Sequence, residues 1–122
     1  MQRKFAAMFV NDDIQQRWWN LEAKLAERFG KKPDVEAILF LIGLQEKGFE
    51  KKKISKEQKQ DLMHIATCKV LSFSGIYELE GLDPEGWPHW NLVQNVPPLG
   101  LKEQEILLKA HVIQYFKEEV FT

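Results

Sequence analysis

Asp83, Glu85, Trp87, His89 and Trp90 fall within eight consecutive residues, inside the segment GLDPEGWPHWNLVQNVPPLG at 81–100. Two carboxylates beside an imidazole are groups that general acid–base chemistry uses, provided that they face a cleft that tunes them. Two indoles supply flat apolar faces with a polar edge, suited to stacking on a ligand or to covering a core. Tyr77 and Glu78, just upstream, complete the expected ligand or partner contacts: Tyr77, Glu78, Asp83, Glu85, Trp87, His89 and Trp90. Two arrangements compete. Trp87 and Trp90 fold back as a lid and leave His89 accessible, or the segment walls a polar pocket against the third helix. Compact loops are commonly packed by their own side chains, which favours the lid.

A second constellation is Asp61, His64 and Cys68, spaced i, i+3 and i+7. On a helix these share one side, roughly opposite the stripe of Leu62, Ala66 and Phe73. They have the makings of a metal ligand set, or of a thiol with a base and an orienting carboxylate. A partly exposed face, with Cys68 packed as a small hydrophobe, accounts for them more simply. No metal and no cofactor is therefore expected. Paired Glu-x-x-His motifs, as in di-iron bundles, are absent from the sequence, and Asp61-Leu-Met-His64 is the nearest approach. Asp83-Pro84-Glu85-Gly86 looks like half of a calcium loop. With Gly86 at its sixth position, the first and twelfth fall on Gly81 and Leu92, which supply no carboxylate, so an EF-hand is excluded. Gly86 instead suits a tight turn before Trp87-Pro88.

Helices must position these groups. Ile14, Trp18, Leu21, Leu25 and Phe29 recur at helical steps, predicting a first helix from Asp12 or Asp13 to Phe29, capped by Asn11 or Asp12. A second, over 33–47, is apolar all round at AILFLIGL and should be the most buried. Gly43 inside it costs about 1 kcal/mol against Ala, a sign that a neighbouring helix comes close. Ser55 and Gln58 have capping-box spacing and open a third helix, predicted over 55–80 with Leu62, Ala66, Phe73 and Tyr77 as its stripe. The fourth, over 101–118, turns Leu101, Leu108, Val112, Tyr115 and Phe116 to one side, with Glu105 and Lys109 as a rim pair. Four such stripes predict an all-α fold: a single four-helix bundle-like domain over 1–122, with a long ordered Pro/Trp-rich loop between helices three and four.

The whole chain narrows the function classes. Its 122 residues suit one core, and 44% hydrophobic with 29% charged residues is an ordinary globular balance. A net charge of −1 gives no general attraction to nucleic acid or to anionic membrane. Lys51-Lys52-Lys53, with Lys47, Lys56 and Lys59 nearby, is diluted by Glu46, Glu50, Glu57 and Asp61, so no nucleic-acid partner is expected. No apolar run reaches the ~18 residues of a membrane span, and the apolar stretch Phe5 to Val10 is short for a signal peptide. With one cysteine, no intramolecular disulfide is possible, which suits the cytoplasm.

Two functions follow. The first is a protein-interaction or regulatory domain acting through an apolar helix face and the 81–100 segment. Adjacent Trp18 and Trp19 project about 100° apart, so both cannot sit at the centre of one small core. One of them, Trp19, is expected at an edge or in a homodimer contact, joined by the apolar tail Val120-Phe121. The second is a small enzyme or ligand-binding protein with its site between Asp83–Trp90 and the third helix. The absence of a recognisable nucleophile–base pair in the sequence favours the first, and a polar-lined pocket under 83–90 would favour the second.

Overall fold

The computed structural model describes residues 12–48, 53–96 and 98–121. Four α-helices run over Asp12–Phe29 (α1), Val35–Lys47 (α2), Lys56–Ser72 (α3) and Leu101–Tyr115 (α4), with a π-helical turn at Phe116–Val120. Between α3 and α4 lie two strands, Tyr77–Leu82 (β1) and Pro88–Leu92 (β2), paired antiparallel. The fold is therefore mixed α/β, and the all-α four-helix bundle is corrected. Among the described residues no helix is long and apolar enough to cross a membrane. The predicted caps at Asn11, the stretch Phe5 to Val10, and Lys51 and Lys52 lie outside the described residues.

The correction has a local cause. The third helix was expected to reach Glu80, but it stops at Ser72. Ser72, Ser74 and Gly75 are weak helix formers, and the Ser72 hydroxyl donates to the Lys69 carbonyl. Beyond them Tyr77-Glu78-Leu79-Glu80 alternates apolar and acidic, the period of a strand and not of a helix. Tyr77 thus leaves the helical stripe and faces Leu92 across the sheet. The long loop shrinks correspondingly, because 88–92 is strand. Ile76, just before β1, is buried, and its carbonyl accepts from Val93 N at 2.9 Å.

The described residues fall into two compact units, one made from two separate stretches (12–33 and 96–121) and one from 34–95. In the first, α1 packs on α4. Trp18, Leu21 and Leu25 are buried as the stripe predicts, while Phe29 is half exposed. Trp18 is 2% exposed and Trp19 52%, the split expected of adjacent helical positions. On α4 the stripe is rotated from the predicted one. Leu107, Val112, Tyr115 and Phe116 are buried, Leu108 only partly, and Leu101 at the helix start is 86% exposed. Lys109 lies 3.1 Å from Glu105 and its ammonium sits 5.2 Å from the Trp18 ring centre, so its stem is largely covered.

In the second unit α2 and α3 form the core pair. Asp34 caps α2 by accepting from Ala37 N at 2.8 Å. Ser55 and Gln58 close the predicted capping box on α3, at 3.1 and 3.0 Å. Ile38, Leu39, Ile42 and Gly43 of α2 are buried against Leu62, Ile65, Ala66, Cys68 and Val70 of α3. Gly43 is the closest approach. A Cβ there would meet the Leu62 carbonyl carbon at 2.6 Å and Leu62 Cβ at 2.8 Å. The first of these is backbone and cannot swing aside.

Gly43→Ala is expected to destabilise the fold by about 2 kcal/mol or more, the cost of overpacking exceeding the ~1 kcal/mol gained in helix propensity. Urea unfolding monitored by circular dichroism reads this directly. An unchanged or raised midpoint contradicts the close-packed contact.

Candidate functional site

The tip of the hairpin is built on Asp83. Pro84 fixes the backbone after it, and Gly86 takes the left-handed conformation (φ +86°) that closes the turn. Gly86 N donates to the Asp83 carbonyl and Asp83 N donates to the Trp87 carbonyl, both at 2.9 Å. The Asp83 side chain adds three further bonds. Its Oδ1 accepts from Glu85 N and Trp87 N, each at 2.9 Å, and its Oδ2 pairs with His89 Nε2 at 3.0 Å. A carboxylate accepts only, so His89 Nε2 carries the proton and donates it. With Nε2 so engaged, the neutral form of the ring has its lone pair at Nδ1. The His89 contact and the two backbone N–H groups hold the Asp83 carboxyl below its ordinary value of 3.8.

This tip faces α3 across a cleft of about 450 Å³. One wall is Asp83, Glu85, Trp87, His89 and Trp90, and the other is Asp61, His64 and Ile65. Three carboxylates, two imidazoles and two indoles share it. Trp87 and Trp90 are each half-buried, and the Trp90 Nε1 atom is buried without a hydrogen-bond partner among the described residues. The Lys47 ammonium sits 5.3 Å from the Trp87 ring centre. His89 keeps 57% of its side chain exposed, the accessible histidine expected from the sequence.

Five of the seven expected contacts therefore converge: Asp83, Glu85, Trp87, His89 and Trp90. Tyr77 and Glu78 do not line the cleft. They lie in β1, paired with Leu92 and Asn91. Asp61 and His64 join the site from the helix, where the sequence grouped them with Cys68 instead. That group separates in the structure: Asp61 and His64 are exposed, whereas Cys68 is fully buried. Cys68 Sγ lies 3.7 Å from His64 Nε2, yet burial pushes its thiol up to about 11, so it stays protonated near neutrality. It packs as a small hydrophobe on the core side of α3, not on a polar face. Among the described residues no three His, Cys, Asp or Glu side chains are grouped so as to hold a metal ion.

The arrangement has a defined chemical capacity. Asp83 holds His89 in one tautomer and orientation, the role a carboxylate plays behind a catalytic imidazole. His89 lines the cleft, and in its neutral form Nδ1 is the ring atom that could take a proton from a bound hydroxyl, amine or water. Among the described residues no serine, threonine or cysteine lines the cleft to act as a nucleophile.

Asp83→Ala is expected to remove the amide-exchange protection of Glu85 and Trp87, whereas Asp83→Asn, which keeps one acceptor oxygen, retains much of it. The sign with pH follows from the lowered value. The Asp83 contribution is complete above its ordinary value and is lost as pH falls through the lower one. NMR-detected exchange at these two amides tests both statements, and equal protection in the two variants contradicts them. No protein-family model matches this chain, and neither a curated protein nor a solved structure shows significant similarity to it.

Proposed function

We propose that this chain is a small ligand-binding protein, with acid–base capacity, whose site is the cleft between α3 and the 83–90 hairpin tip. The observation that carries the reading is the oriented Asp83–His89 pair opening onto a polar cleft, where a filled apolar contact was the alternative. Its volume falls in the ~300–1,000 Å³ range of ligand sites. The ligand class follows from the walls. Asp61, Asp83 and Glu85 give the cleft negative charge near neutrality, and indole rings attract cations through their faces. A small polar molecule carrying a basic nitrogen fits best.

A panel of small amines and guanidines, matched with carboxylates of similar size, separates the outcomes by NMR titration. Amines are expected to shift the His64 and His89 ring signals and the Trp87 and Trp90 indoles, and to lose affinity about tenfold in Asp61→Asn with Glu85→Gln. Carboxylates binding equally well, or amines moving none of these four side chains, would sink the reading.

A second reading, an interaction domain that forms a dimer, is favoured by one observation: Trp19 is 52% exposed on α1. Indoles on a surface are common interface anchors. Sedimentation at micromolar concentration is expected to give a dimer that Trp19→Ala converts to monomer, and a monomer in both proteins contradicts it. A cytoplasmic location completes the proposal, supported by a single cysteine kept as a buried thiol.

A further inference from the structure

The unit built from two separate stretches carries a groove of different character. α1 contributes Arg17, Leu21 and Lys24, the π-helical turn contributes Phe116 and Lys117, and Phe121 closes one end. The Phe116 and Phe121 rings stack at 5.8 Å with a 30° tilt and make an apolar floor. Lys24 Nζ and the Arg28 guanidinium lie 5.1 and 5.4 Å from the Phe121 ring centre, which brings positive charge to its rim. Among the described residues no carboxylate lines the groove. Asp13 holds Arg17 by one contact at 3.1 Å, and Glu118 and Glu119 lie on the same turn as Lys117, but none of the three is among the residues that line the groove.

We propose that this groove docks an acidic peptide segment of a partner protein. One or two apolar side chains of the segment would sit on Phe116 and Phe121, and its Asp or Glu side chains would meet Arg17, Lys24 and Lys117. Charge complementarity selects this occupant. An apolar floor alone accepts any hydrophobic anchor, whereas a rim of cations with no facing carboxylate attracts acidic partners and repels basic ones. The space is about 230 Å³, below the ~300–1,000 Å³ of sites that enclose a small ligand, and matches a few side chains laid in from the surface. An anionic membrane is disfavoured by Asp13, Glu22 and Glu27 on the same helix, because interfacial helices carry a strongly basic polar face.

Fluorescence anisotropy with a short labelled amphipathic peptide of leucine, phenylalanine and glutamate tests the proposal on the whole chain. The control is the same peptide with lysine at every glutamate. The acidic peptide is expected to bind saturably, more weakly as salt rises, and the basic one not to bind. Lys24→Glu with Lys117→Glu should weaken binding about tenfold or more, and Phe121→Ala should weaken it at unchanged salt dependence. Circular dichroism and the thermal midpoint check folding, and Lys24→Gln with Lys117→Gln replaces the reversal if that variant does not fold. Equal binding of both peptides, no binding of the acidic one, or undiminished binding to the charge variants overturns the proposal. So does occupancy by another ligand alone: dodecanoate, phosphatidylserine vesicles, or a second copy whose self-association disappears in the charge variants.

Discussion

The contact of Gly43 with the backbone of Leu62 is the constraint on which the 34–95 unit depends. Removing a side chain from the middle of α2 costs helix propensity, yet it lets α2 settle directly on α3. Everything on the far side of α3 is then held in place. Leu62, Ala66 and Val70 are buried at the helix pair, and Asp61 and His64 turn away from it toward the cleft. A displaced α3 would move one wall of the cleft without touching any residue in it. Mutations at Gly43 would therefore be felt at a site whose chemistry they do not share, through ordinary close packing.

The other wall is fixed by hydrogen bonds. A two-stranded hairpin is marginal by itself and needs a covering element and a well-made turn. α3 supplies the first and Asp83 the second. A single carboxylate serves the turn through Oδ1 and the imidazole through Oδ2, so the same residue that shapes the backbone also orients the candidate base. The hairpin tip is consequently stiffer than an exposed five-residue connection would ordinarily be. That stiffness matters for function, since acid–base groups act only from a defined geometry.

Much of the architecture was legible in the residues, and the misreadings have physical sources. The Ser55 capping box, the split of Trp18 from Trp19 and the close approach at Gly43 each follow from one local rule with no competing signal. The hairpin was misread because Tyr77 and Ile76 also continue the three- and four-residue spacing of α3, so helix and strand periods overlap there. Tyr77-Glu78-Leu79-Glu80 followed by Asp83-Pro84-Glu85-Gly86 is a strand with a turn behind it, and that pairing of signals resolves the ambiguity. The Pro/Trp-rich cluster supplies one wall of the candidate cleft. Its helical wall was half visible as Asp61 and His64, but spacing on one helix cannot show which neighbours stand opposite. Cys68 was placed on the polar side because seven residues of helix return it to within about 20° of Asp61, and spacing alone cannot show that a neighbour covers the helix at that level.

The order of the two units along the chain has a consequence for synthesis. The 34–95 unit is continuous, and its pairings, α2 with α3 and β1 with β2, join near neighbours in sequence. Such contacts close short loops and form early. The other unit is split, with α1 at one end and α4 at the other. On a ribosome, α1 emerges before its partner α4 and waits with Trp18, Leu21 and Leu25 unpaired until the whole of 34–95 and then α4 have been made. The middle of the chain can fold while its beginning is still looking for its end, and during that interval the apolar face of α1 is the segment most in need of protection from aggregation.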